Sequence, residues 1–180
     1  IFLNLKGARC LVVGGGAVAA RKAGLLLGCG ARVAIVAPEL GEALAAEKAA
    51  GRIEHIPARF AEAHLAGATV VIAATDDHAV NAAVSQAAKA RDLPVNVVDS
   101  PELCSFIFPS IVDRSPMIIA VSTGGASPVL ARLMRAKLET LLPATYGRLA
   151  QMANGLRDRV KKHFGNPAQR RIFWEKMLGG

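Results

Sequence analysis

Aromatic residues are scarce: one Trp, one Tyr and six Phe make up only 4% of the chain. So few rings exclude the stacking platforms that grip single-stranded nucleic acid. Cysteine is equally sparse. Cys10, Cys29 and Cys104 lie far apart, with no C-x-x-C and no Cys/His cluster. That argues against a zinc site or a disulfide framework, and for structural thiols in a reducing, cytoplasmic compartment. No apolar run approaches the ~18 residues of a bilayer-crossing helix, so no membrane partner is expected. A secretory leader is not recognisable either. Ile1 stands where a Met would open a gene product, which leads us to expect that N-terminal residues are missing. Acidic residues are in deficit, 14 Asp/Glu against 22 Lys/Arg, for a net charge of +8.

What is present is ample apolar material. Hydrophobic residues make up 52% of 180 residues and charged residues 20%. This suits one medium domain with a small appendage, and it excludes a disordered tail. The charge is uneven: residues 1–99 carry a net +1 and residues 100–180 a net +7. The densest stretch holds Arg157, Arg159, Lys161, Lys162, Arg170 and Arg171. Such a stretch is either a solvated helical face or an attractor of polyanions. The basic residues scatter over several helices without a recognition motif, so no nucleic-acid partner is expected.

Along the chain, short apolar runs alternate with helical patterns. Strands are expected at 9–13, 32–36, 53–56, 69–74 and 94–98, and helices at 17–27, 41–50 and 78–91. Near-continuous apolar strands between helices predict an α/β fold, a Rossmann-like doubly wound parallel sheet. The pattern then changes. Residues 105–112 and 117–122 read as two strands of a hairpin joined by Asp113-Arg114-Ser115-Pro116. Ser127 and Pro128 start a helix that stops at Pro143. Two further helices follow, broken near 165–167. The expected domains are therefore 1–104, a small α+β dimerisation segment 105–143, and a C-terminal helical segment 144–180. A hairpin with helices buries little core alone, so this half is expected to pack on a partner, most simply a second copy.

The sharpest motif is Gly14-Gly15-Gly16-Ala17-Val18-Ala19, which fits G-x-G-x-x-A between a strand and a helix. Gly14 permits the tight turn, Gly16 lets backbone approach a pyrophosphate, and Ala19 lets the helix sit close to the sheet. Gly15, Ala17 and Val18 add backbone at the helix start, where free N–H groups and the dipole favour phosphate. Glu39 follows Pro38, 20 residues after Ala19. It is placed either to accept from an adenosine ribose, which favours NAD over NADP, or simply to serve as an acidic residue at a helix start. Thr75 and Asp76 end the fourth strand and are expected beside the cofactor; Asp77 reads as the cap of the next helix. Asp99 ends the fifth strand. It is a candidate general base, with turn formation before Pro101 as the competing role. His78, at a helix start, reads either as an assistant to the chemistry or, more simply, as a surface residue; His55, His64 and His163 have no evident partners, and no metal site is expected.

The chain also resembles a known family. The matching stretches are Val12 to Gly16 with Ala20-Arg21-Lys22, Ala73 to Asp77, Asn96 to Asp99, Phe106 to Ser110, Asp113 to Pro116, and Ser122 to Arg132. Together they resemble the precorrin-2 dehydrogenase/sirohydrochlorin ferrochelatase domain of siroheme synthases. Arg170 to Trp174 looks like the helical region of the fused bacterial enzyme. The resemblance implies a homodimer that uses NAD⁺ to oxidise precorrin-2 to sirohydrochlorin. It then inserts Fe²⁺ to give siroheme in the same cleft, with Asp99 as the base for both steps. It also gives the basic half a purpose, since precorrin-2 carries many carboxylates. Thr123 stands where the fused enzyme has a serine in the cleft, and it keeps the hydroxyl. Fused members carry a C-terminal methyltransferase that this chain lacks, so an excised fragment or a stand-alone enzyme is expected. The alternatives are a dehydrogenase without chelatase activity and a non-catalytic NAD-sensing module.

Overall fold

The computed structural model describes residues 2–179. Five of the apolar runs become strands: β1 (Arg9–Val13), β2 (Arg32–Val36), β3 (Ile53–Ile56), β4 (Val70–Ala73) and β5 (Val95–Val97). All pair in parallel, in the order β3-β2-β1-β4-β5. Helices α1 (Ala17–Gly28), α2 (Glu42–Ala49) and α3 (His78–Lys89) make three of the four crossovers, and a short 3-10 turn at Glu62–Leu65 lies in the fourth, from β3 to β4. The strand order reverses between β1 and β4, the switch point of a doubly wound sheet.

Strand alternation splits the core into two layers. Cys10, Val12, Ile35 and Ile72 face Ala19, Ala23 and Leu26 of α1 and Leu44 of α2. Leu11, Val13, Val71 and Val97 face Val84, Ala87 and Ala88 of α3. Because both faces are covered, these strands are apolar throughout rather than alternating. Contacts divide the chain into two compact units, with the boundary between Phe108 and Pro109.

The second unit opens with an antiparallel hairpin, β6 (Ser110–Arg114) and β7 (Met117–Val121). The strand expected over 105–112 starts later and ends later. Ser105 and Phe106 instead donate backbone N–H groups to Val95 O, and Pro109 has no N–H to offer a ladder. Asp113 and Arg114 belong to the strand, leaving a two-residue loop, Ser115-Pro116. Asp113 Oδ1 closes that loop by accepting from the Ser115 N–H at 2.8 Å.

Gly124 and Gly125, at φ 63° and 90°, then turn the chain. Thr123 spends its hydroxyl on this turn, donating to Ser127 O and accepting from Ser127 N–H. Ser127 caps α4 (Pro128–Leu141) by accepting from Leu130 N–H. Helices α5 (Thr145–His163) and α6 (Pro167–Leu178) follow, with Asn166 capping the latter. Among the described residues no helix is long and apolar enough to cross a membrane.

Arg114 ties the hairpin to α4. Its guanidinium donates to Leu142 O at 2.7 Å and to Glu139 O at 3.3 Å, satisfying carbonyls that a helix C-terminus leaves free. Arg114→Ala is expected to cost about 2 kcal/mol of second-unit stability. Trp174, in α6 of the same unit, reports this as a lower urea midpoint. An unchanged midpoint would show that these contacts add nothing.

Candidate functional site

The chain must leave β1 and enter α1 within three glycines, and the three have different reasons to be there. Gly14 adopts φ 130°, and a Cβ on it would collide with the carbonyl oxygen of Ala74. Its N–H donates to Val36 O at 2.9 Å, while Ala74 N–H donates to Val13 O at 2.8 Å. The ends of β2, β1 and β4 are thereby drawn together. A Cβ on Gly15 would collide with the carbonyl oxygen of Glu39, and Gly15 O accepts from Gly41 N–H at 2.9 Å. The segment after β2 therefore lies directly on the glycine turn.

Gly16 differs. It is the N-cap of α1 with ordinary φ −84°, it makes no side-chain cap, and a Cβ there would meet nothing within 4 Å. The fold requires the first two glycines to be small but not the third. Open space over unsatisfied N–H groups at a helix N-terminus is what a bound phosphate needs.

That space is the head of a cavity of about 780 Å³ across the carboxyl ends of β2, β1 and β4. The volume falls in the usual range for small-molecule sites. Gly14 to Val18 form one wall, Pro38 and Glu39 a second, and Thr75 and Asp76 a third. Ala19 is absent from the lining. It is fully buried beneath α1, where its small side chain brings helix and sheet together. Asp77 also reaches the rim, and its Oδ1 caps α3 by accepting from Ala79 and Val80 N–H groups.

Thr75 is held by a clasp that sequence reasoning missed. Its hydroxyl donates to Asn81 Oδ1 at 2.8 Å, and Asn81 Nδ2 returns a bond to Thr75 O at 2.9 Å. Asn81 is buried, so the turn carrying Thr75 and Asp76 is pinned from behind. Arg59 and Phe60, just past β3, line the cavity too and were also missed. The rule that ligands sit beyond strand carboxyl ends points to them once β3 is accepted as a strand.

Asp99 lies outside this lining. It is exposed, in the turn after β5, at φ 57°. A non-glycine residue in the left-handed region stores strain, which functional turns often carry. Three residues earlier, on β5, Asn96 is almost fully buried. Its Nδ2 donates to Phe106 O at 3.0 Å, while Oδ1 has no donor among the described residues. Across this face α1 contributes Lys22. Burial pushes its ammonium below the ordinary lysine range, and Arg21 adds to that, whereas Asp99 and Cys104 favour the charged form. Among the described residues no three His, Cys, Asp or Glu side chains gather as a metal-holding group.

Residues 1–110 match the family described as "Putative NAD(P)-binding". Residues 114–141 match "Sirohaem biosynthesis protein central", and residues 145–180 match "Sirohaem synthase dimerisation region". The whole chain is similar to a siroheme synthase of Methylobacillus flagellatus, 58% identical over 180 residues, and to one of Nitrosospira multiformis, 56% identical over 184. It spans 38% and 39% of the length of those two relatives. Among solved structures it is similar to SirC, a precorrin-2 dehydrogenase. There the TM-score is 0.82 and the identity 27%, covering 99% of this chain and 88% of that one.

Proposed function

The chain belongs to the NAD(P)-binding family over residues 1–110, and from that premise we propose that it oxidises precorrin-2 to sirohydrochlorin with NAD⁺ and then inserts Fe²⁺ to give siroheme. The observation that carries the reading is the open space over Gly16 at the head of the cavity, bounded by glycines that the fold itself requires. The relatives named siroheme synthase and the likeness to a precorrin-2 dehydrogenase support the substrate.

In this reading Gly14 to Val18 hold the pyrophosphate on their N–H groups, and Ala19 keeps α1 close enough to present them. Pro38 and Glu39 receive the adenosine ribose. The Glu39 carboxylate accepts from ribose hydroxyls and repels a 2′-phosphate, which selects NAD over NADP. Thr75 and Asp76 border the cofactor on the β4 side. Bound NAD⁺ supplies the hydride acceptor. Asp99 takes the proton that leaves as the new carbon–carbon double bond forms, so the products are sirohydrochlorin, NADH and one proton. For chelation the macrocycle supplies four nitrogens, and Asp99 accepts protons displaced by the substrate iron. No protein metal cage is needed for that step.

Assembly is part of the proposal. Ile111, Ile118, Leu133 and Leu141 are exposed in the second unit. A second copy covering them, together with the exposed Tyr146, Met152, Ile172 and Leu178 of the matched dimerisation region at residues 145–180, would form a homodimer. The relatives' greater length fits a methyltransferase fused beyond this chain. The three thiols are free, as a cytoplasmic setting would keep them.

The test is anaerobic incubation with precorrin-2 and NAD⁺, followed by NADH fluorescence. NADH is expected with NAD⁺ and far less reduced cofactor with NADP⁺. Adding Fe²⁺ is then expected to develop the siroheme spectrum. A folded protein that binds NAD⁺ but forms no NADH overturns the dehydrogenase. NADH without siroheme leaves the dehydrogenase standing and removes the chelatase.

A further inference from the structure

Among the described residues, Lys22 is a cation without a paired anion. Its side chain is half-buried on α1, and its Nζ lies 4.2 Å from the centroid of the Phe108 ring. Among the described residues it joins none of the ion pairs and none of the side-chain hydrogen bonds. An ammonium with three donors gives up water to reach such a position, and one ring face replaces only part of that hydration. The surroundings are built rather than fortuitous. Phe108 packs edge-to-face on Phe106, centroids 5.3 Å apart. The backbone of Phe106 is pinned by Asn96 Nδ2 at 3.0 Å. Thus α1 and the segment after β5 together hold the charge in place.

Three features define what this cation would take. Lys22 is not among the residues lining the cofactor cavity, so its ligand is something other than the dinucleotide. Asp99, the proposed base, lies close enough for its charge to act on Lys22, but it forms no ion pair with it. An anionic substrate approaching Asp99 would be repelled unless a positive group stood beside it. Finally, the apolar Phe106–Phe108 edge offers a surface for a macrocycle while Lys22 offers its charge to a peripheral substituent.

We infer that Lys22 is a substrate-binding residue that pairs with a peripheral carboxylate of the tetrapyrrole and so holds the macrocycle beside Asp99. The inference rests on the proposed function and assigns one anchor of its polycarboxylate substrate. The ammonium does two things at once: it binds the carboxylate and offsets the Asp99 charge that opposes its approach. Arg can also lie over an aromatic face, keeps the charge and offers a donor fork that matches a carboxylate.

The experiment titrates sirohydrochlorin into the full chain and into Lys22→Met and Lys22→Arg, with NAD⁺ titrated separately. In Lys22→Met, the sirohydrochlorin Kd and the KM for precorrin-2 are expected to rise about tenfold or more, as for a desolvated charge contact. The NAD⁺ Kd is expected to stay the same, kcat to change much less than KM, and Lys22→Arg to recover most of the tetrapyrrole affinity. An unchanged sirohydrochlorin Kd in Lys22→Met overturns the inference, as does an equal loss of NAD⁺ affinity. Wild-type protein that forms no NADH would sink the dehydrogenase reading instead. The titration of sirohydrochlorin would still decide Lys22, because it needs no turnover.

Discussion

Replacing Asp99 with Asn is expected to lower precorrin-2-dependent NADH formation by about 10²- to 10⁴-fold, the usual worth of a positioned general base. NAD⁺ affinity should not change, because Asp99 is not among the residues lining the cofactor cavity. The choice of Asn follows from the backbone. Asp99 sits at φ 57°, and Asn is, with Asp, the non-glycine residue that accepts this region most readily. Ala would add a backbone penalty of about 1–2 kcal/mol there, and lost activity would then have two causes. Asn keeps the shape and the turn and removes only the ability to hold a proton. Stopped anaerobic assays for NADH, with NAD⁺ binding measured on the same preparation, separate chemistry from folding. A variant that oxidises precorrin-2 at the wild-type rate would remove Asp99 from the mechanism. If iron insertion falls in parallel with oxidation, one carboxylate serves both steps; if only oxidation falls, the chelation protons leave by another route.

Much of the first unit was readable in advance because its determinants are local. The strands β1, β2 and β4 are near-continuous apolar runs, each helix begins after Gly or Asp, and the glycine turn joins β1 to α1. The five strands appear within one or two residues of their expected bounds, since burial on both faces leaves little ambiguity in such runs. The hairpin was less readable. Its register depends on Asp113 folding back onto Ser115 and on Pro109 withholding an N–H, and both outweigh the apolar character of Phe106 to Phe108. Those phenylalanines look like strand residues but serve instead as a cover for α1. The same division holds at the site. The role of Gly14 was visible from its place after a strand. The Thr75–Asn81 clasp and the Lys22–Phe108 contact were not, because each depends on where other elements bring the partner. Arg59 and Phe60 were missed although a strand was expected at 53–56, because no motif marks the irregular segment that carries them past the end of β3, Ile-Glu-His-Ile. Its middle is held partly by His55, which bonds Ala37 O and Lys48 rather than packing in the core.

Gly14→Ala and Gly16→Ala are expected to fail in opposite ways, although they change the same motif by the same methyl group. At Gly14 the backbone is in a region that L-residues avoid, and the new Cβ would strike the Ala74 carbonyl. Relief requires β4 to part from the glycine turn, at a cost of several kcal/mol by the usual worth of backbone strain combined with steric overlap, roughly 2–4. Unfolding midpoint and NAD⁺ affinity should therefore fall together. At Gly16 the backbone is ordinary and the space is open, so the protein itself has no objection to alanine beyond a lost N-cap preference of about 1 kcal/mol or less. The methyl would instead occupy the volume into which the pyrophosphate must come. NAD⁺ affinity is expected to fall about tenfold or more, in line with the close backbone approach this position gives a dinucleotide, with the unfolding midpoint nearly unchanged. Isothermal titration and urea unfolding on the two variants measure both quantities. Normal NAD⁺ binding by Gly16→Ala would mean that the dinucleotide does not cross the helix N-terminus at all, and that the cavity holds its cofactor along Glu39 and Arg59 alone.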